Sequence, residues 1–140
     1  MAGCRLGYVA GWPQGVKMVQ KLCTPHNTNA FAMLFAEKII ESPTMLQSLI
    51  DNFNEGRTWL IETLDANGYP HKGEAGNFIF IKTKTDATVI VDRMKKEKHI
   101  LIKSYPQVGS FGTCLRVSIG EKQYMQQFMN ALLEIDRQKS

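Results

Sequence analysis

Hydrophobic and polar positions change rhythm several times along the 140 residues, and each change marks an element. After Ser42-Pro43, the residues Met45, Leu46, Leu49, Ile50, Phe53, Leu60 and Leu64 recur at steps of three and four. That is the spacing of one helix face. Serine suits an N-cap and proline the first helical position, while Asn67-Gly68 with Pro70 behind it stops the helix. The stripe predicts a long helix with its apolar side in the core. Asn77 to Lys82 reads as a strand after a loop over Tyr69 to Gly76. Thr85-Asp86 caps a helix through Val89, Ile90 and Met94. Ile100 to Lys103 is the next strand, Ser104 to Thr113 a loop with Pro106, Gly109 and Gly112, and Leu115 to Gly120 a third strand. From Glu121 to Arg137, Tyr124, Met125, Phe128, Met129, Leu132 and Ile135 share one helix face.

The first forty residues follow another pattern. Met1 to Gly11 is a glycine-spaced strand, Trp12 to Gly15 a turn, Gly15 to Cys23 a short helix and Ala30 to Glu41 a compact alanine-rich one. Thr24 to Asn29 is polar and separates the two helices. The later order of strand, helix, strand, strand, helix predicts an α/β fold of the α+β kind: a small, mainly antiparallel sheet covered on one side by helices. The opening strand has no partner in this scheme. Such a strand ordinarily belongs inside a larger sheet, so it reads as the tail end of a truncated domain.

Composition narrows the class. The chain is 44% apolar and 21% charged, as expected of a globular protein with a real core. No apolar run is long enough to span a bilayer, and the N-terminus lacks a signal-peptide layout. Cys4, Cys23 and Cys114 are widely spaced, which argues for reduced thiols in a cytoplasmic setting and against a disulfide frame or metal site. The net charge of +4 is mild. The basic run Lys95-Lys96-Glu97-Lys98-His99 falls where a helix ends and complements its dipole, which favours a solvated face over a nucleic-acid patch.

The candidate chemistry starts at Arg116. In Cys114-Leu115-Arg116-Val117-Ser118-Ile119-Gly120, apolar residues alternate with Arg116 and Ser118. A guanidinium beside a packed strand is costly unless an anion or carboxylate meets it. One reading is an edge-strand arginine pointing at water. The other is a fork that holds a substrate carboxylate with two parallel hydrogen bonds.

Three stretches then occur in a telling order: Ala2-Gly3-Cys4-Arg5-Leu6-Gly7-Tyr8, the turn Asn27-Thr28-Asn29, and Leu115-Arg116-Val117-Ser118-Ile119-Gly120. Together they resemble the C-terminal part of class I and II, fold-type I, pyridoxal-phosphate aminotransferases, with most likeness to the histidinol-phosphate branch. The resemblance implies that residues 1–41 end the large cofactor-binding domain and carry a hinge, that 42–140 form the small domain, that Arg5 binds the phosphate of pyridoxal phosphate and that Arg116 holds the substrate carboxylate. It sets Lys103 where some relatives carry an arginine near the substrate side chain. A lysine there meets a phosphate as a point charge only.

The family's Schiff-base lysine lies a few residues ahead of the phosphate arginine, which here falls before Met1, and Lys17 and Lys21 follow that motif instead. The expectation is therefore no catalytic residue within the chain, an amino-acid or amino-phosphate substrate and the cofactor in the parent enzyme, and no turnover by the chain alone. The family's dimers imply a homodimer or self-association through the truncated face. The competing reading is a free-standing small-ligand or RNA-binding module, since Phe78 and Phe80 share a strand face. Such modules need an aromatic strand pair, and neither Ile100 to Lys103 nor Leu115 to Ile119 holds an aromatic residue. No membrane, nucleic-acid or metal partner is expected.

Overall fold

A computed structural model describes residues 5–23, 28–73 and 75–137. The chain divides into two compact units, Met1–Ser48 and Leu49–Ser140.

The first unit holds α1 (Pro13–Gln20) and α2 (Ala30–Ile40). Pro13 in the first turn, where its missing N–H costs nothing, starts α1 earlier than the apolar pattern alone predicts. Asn29 caps α2, its side-chain oxygen accepting from the amides of Phe31 at 2.8 Å and Ala32 at 3.3 Å. The expected opening strand is absent over residues 5–11, and residues 1–4 lie outside those described. A strand exists only through its ladder, and no extended segment in the described part of this unit offers one. Tyr8 and Val9 stand exposed, and Arg5 has a left-handed φ of 55°.

α3 (Pro43–Ala66) has the bounds that the sequence signals set. Gly68, with φ of 68°, follows it in the conformation glycine adopts most readily. Its predicted core stripe is only half right. Leu60 and Leu64 are fully buried, whereas Met45, Leu46, Leu49, Ile50 and Phe53 are exposed. Helical spacing puts all of them on one side, but only the last turns pack on a sheet.

That sheet belongs to the second unit: β1 (His71–Lys72), β2 (Phe78–Ile81), β3 (Lys103–Tyr105) and β4 (Cys114–Ser118), antiparallel throughout in the order β1-β2-β4-β3. β1 lies inside the segment predicted as loop. Two residues are too few to show a period. α4 (Ala87–Lys98) and α5 (Lys122–Arg137) complete the unit. Ile79, Ile81, Leu115 and Val117 turn to the covered side and pack with Leu60, Leu64, Ile90, Met94, Phe128 and Leu132. The helices cover one face, as the alternation predicts.

The strand expected over Ile100 to Lys103 forms instead over Lys103–Tyr105. His99 takes a left-handed φ of 56°, and the Ile100 amide returns to the Met94 carbonyl at 3.0 Å to close the α4 C-terminus. Ile100 and Ile102 are thus consumed in leaving the helix, and their alternation records packing against the core, not strand pairing. The basic run ends α4 as expected. Lys96 pairs with Asp92 at 2.8 Å, Arg93 with Glu97 at 2.7 Å and Lys98 with Glu134 at 2.6 Å.

A buried carboxylate fixes the approach to α4. Asp136, near the end of α5 and 4% exposed, accepts from the amides of Lys84 at 3.1 Å and Thr85 at 2.7 Å. Burial pushes its carboxyl up, but the hydrogen bonds from Lys84 and Thr85 outweigh that and leave it below the usual carboxylate range. The hydroxyl of Tyr69 is buried beside it without a well-formed hydrogen bond. Burial, and then that carboxylate, push the Tyr69 phenol well above its ordinary value.

Candidate substrate-binding face

The face of the sheet that the helices leave open carries the candidate site. In β2, Phe78 and Phe80 alternate with the buried Ile79 and Ile81, so period two alone sends both rings to the open side. In β4 the same alternation sends Arg116 and Ser118 there. The register aligns Lys72 with Phe80, Phe80 with Arg116, and Arg116 with Lys103. One row across four strands therefore reads lysine, phenylalanine, arginine, lysine. Tyr105, two residues beyond Lys103, falls on the same side.

Arg116 is half-buried and held from two directions. Its guanidinium carbon lies 4.1 Å from the centre of the Phe78 ring, a contact worth about 1–2 kcal/mol when shielded from water. Its Nη1 donates to the Tyr105 hydroxyl at 3.1 Å. The rings beneath are locked edge to face, Phe78 to Phe80 at 5.3 Å and Phe80 to Tyr105 at 5.9 Å. No carboxylate among the described residues pairs with the guanidinium, and its buried Nε finds no acceptor. A partly desolvated cation with an unmet donor and no counter-ion is a costly arrangement to maintain. An anion from outside would offset that cost.

The ladder between β3 and β4 ends at Lys103 and Arg116. Beyond it a cleft of about 800 Å³ opens, lined by Ile102, Lys103, Arg116, Ser118, Tyr124 and Phe128 among others. Its floor is apolar, and both cations of the row's end line it. Lys72 lies on the far side with its Nζ 5.2 Å from the centre of the Phe111 ring. Phe111 belongs to a turn of 3-10 helix, Gly109–Phe111, that begins at one glycine of positive φ and is followed by another, Gly112.

The structure thus brings two of the three residues singled out in the sequence, Arg116 and Lys103, onto one face. Arg5 belongs to the other unit, where it is exposed with no ion pair among the described residues. Asn29 is a helix cap; Asn27 and His26 lie outside the described residues. Sequence reasoning missed Lys72, whose strand is too short to see. It named Phe78 and Phe80 only as possible stacking residues. Cys114 is buried beneath the same face, and burial pushes its thiol up, which leaves it unreactive. Among the described residues no group of three His, Cys, Asp or Glu side chains is arranged to hold a metal ion. No helix there is long and apolar enough to cross a membrane.

Comparison with known proteins places this geometry in a family. A family profile described as aminotransferase class I and II matches residues 1–132. Histidinol-phosphate aminotransferase 2 of Hydrogenovibrio crunogenus is 26% identical over 135 residues, which are 96% of this chain and 36% of that protein. Histidinol-phosphate aminotransferase 1 of Ralstonia nicotianae is 29% identical over 133 residues, 94% of this chain and 35% of its own length. The chain spans about a third of the length of the curated relatives it matches. A crystal structure of a provisional histidinol-phosphate aminotransferase from Erwinia carotovora atroseptica superposes with a TM-score of 0.80. At 21% identity it covers 99% of this chain and 39% of that one, and it establishes the likeness of fold.

Proposed function

This chain belongs to the class I and II aminotransferases, and we propose that it forms the part of a histidinol-phosphate-type aminotransferase that grips the acid group of the substrate. Residues 1–41 are the end of the larger cofactor domain with its hinge, and 42–140 are the small domain. Arg116 is the carboxylate clamp. The observation that carries this reading is its half-buried guanidinium, stacked on Phe78 at 4.1 Å and with its Nε unmet. A planar fork held by a ring and a hydroxyl has little freedom left to lose when an anion arrives. Positioning the acid group in this way fixes the amine that is to react, and orientation is a large share of catalysis.

Lys103 stands across the ladder from Arg116. With a dianionic phosphate on the substrate it adds a second positive charge. With a carboxylate it stays a solvated strand end. The pair therefore suits an amino phosphate or an amino acid with its keto-acid partner.

Arg5 is the proposed phosphate holder for pyridoxal phosphate. Its exposed guanidinium, without an ion pair among the described residues, has the donor chemistry a phosphate dianion needs. The cofactor, when bound, acts as an electron sink for the substrate carbon that loses its proton. No lysine of this chain stands at the family's Schiff-base position, so the chain by itself turns over no substrate. Pairing into dimers and a cytoplasmic setting are part of the same proposal, by analogy with the family.

The open face also carries three aromatic rings and three cations, the ingredients of a stacking surface for single-stranded RNA. The edge-to-face packing of those rings weighs against it, since Arg116 already covers the Phe78 face.

The test is a titration of the chain with L-phenylalanine and with inorganic phosphate, followed by NMR. Both are expected to shift the Arg116 side-chain signals, and Arg116→Lys is expected to remove the response to the amino acid. Binding that survives Arg116→Lys unchanged would overturn the clamp. Turnover by the chain with added pyridoxal phosphate would overturn its inactivity alone.

A further inference from the structure

Tyr105 does more than pack. Its hydroxyl accepts from Arg116 Nη1 at 3.1 Å, and a phenol has one hydrogen of its own to give. With the Arg116 hydrogen pointing at the oxygen, that phenolic hydrogen is directed elsewhere. Nothing among the described residues accepts it, although Tyr105 is only part-exposed and its ring is wedged against Phe80 at 5.9 Å. The ring cannot swing away without breaking that contact, and the backbone is held in the ladder by the pairing of Tyr105 with Cys114. The unused donor is therefore fixed beside a guanidinium that has no counter-ion among the described residues.

From this geometry we infer that Tyr105 is a second ligand for the anion on Arg116, donating its O–H to the same carboxylate that the guanidinium grips. The inference rests on the clamp reading of Arg116 and deepens it. A carboxylate has about four acceptor positions. The guanidinium uses two, and a neighbouring hydroxyl fills a third. Because the hydroxyl accepts from Arg116 and gives to the ligand, the three groups polarise one another in a closed circuit. The arrangement favours a planar, monoanionic acid group over a bare halide, which offers no second oxygen for the phenol.

The experiment uses the full chain with tyrosine ring carbons labelled, and phenylacetate as the probe. Its carboxylate meets the clamp, and its ring carries no second polar group. Benzyl alcohol serves as a probe without the acid group. In the unsubstituted chain, phenylacetate is expected to shift the Tyr105 ring signals and benzyl alcohol to leave them in place. Tyr105→Phe keeps the ring and deletes the hydroxyl. It is expected to weaken phenylacetate binding about tenfold, the range for a hydrogen bond to a charged group, while benzyl alcohol binds as before. Arg116→Lys separates the two layers of the argument. If phenylacetate binds the lysine variant as well as the parent chain, or binds neither, the clamp fails and the role of Tyr105 falls with it. If Arg116→Lys loses phenylacetate but Tyr105→Phe binds it undiminished and the Tyr105 signals do not move, Tyr105 is packing only. The labelled signals are read in the unsubstituted chain, so this arm stands even if the phenylalanine variant folds poorly.

Discussion

The guanidinium of Arg116 and the ring of Phe78, on adjacent strands and two residues out of register, meet face on at 4.1 Å. That contact lets a charge sit half-buried on a sheet face where no carboxylate among the described residues pairs with it. Phe78→Leu retains the apolar bulk and removes the π face. It is expected to cost about 1 kcal/mol in stability. It should also weaken phenylacetate binding several-fold, because the fork loses its backing. Titration of the variant beside the parent chain checks both. Unchanged affinity would mean that Tyr105 alone holds the fork.

A second expectation concerns backbone contact. Gly56 lies inside α3, where alanine is ordinarily better by about 1 kcal/mol. Here a Cβ would drive into the carbonyl oxygen of Gly120, closer than any real contact. Gly56→Ala should therefore destabilise, by about 1–3 kcal/mol as for an overpacked core. Thr58→Ala, two residues on at an exposed position, should be neutral or slightly stabilising. Urea unfolding of the pair gives the sign directly.

Acid should act through Asp136. Its folded carboxyl is held below the usual range by the amides of Lys84 and Thr85. A depressed folded value means that the stabilisation is complete above the unfolded value of about 4 and is lost as pH falls through the folded one. Asp136→Asn should remove this part of the acid dependence. At neutral pH it should cost about 1–3 kcal/mol, because one of the two amides loses a charged acceptor. Thermal melts between neutral pH and the acid limit would show two curves converging as pH drops. Parallel curves would assign the acid loss to another group.

The start of α4 offers a smaller effect. Asp86 accepts from the amides of Thr88 at 2.8 Å and Val89 at 3.4 Å, and from the Thr88 hydroxyl. Asp86→Ala should lower stability by about 1 kcal/mol, and Asp86→Asn should recover most of it. Circular dichroism melts distinguish the two.

Local signals decided the helices well. Ser42-Pro43 and Asn67-Gly68 set the ends of α3, and Asp86 set the start of α4, because caps and stops depend on residues within one turn. Strand placement was less legible. Ile100 and Ile102 alternate as a strand does, yet the left-handed closure at His99 shifts pairing to Lys103–Tyr105. The expected opening strand fails over residues 5–11 for a related reason, since alternation records which side is apolar and not whether a partner is there. Along α3 the periodicity was correct while burial was not, and Met45 to Phe53 remain exposed.

The site divides along the same line. The sequence by itself determined that Arg116 interrupts an apolar strand and set water against an anion as what meets it, because the cost of a shielded charge follows from residue type and neighbours alone. It also determined the motifs that tie Arg5 and Arg116 to one family. Only the tertiary structure decided which residues stand around that arginine. Phe78, Lys103 and Tyr105 come from positions up to 38 residues away from it, and their meeting depends on a register that no local pattern specifies. Hydrogen bonds between strands set that register, and with it the hydroxyl that faces the guanidinium.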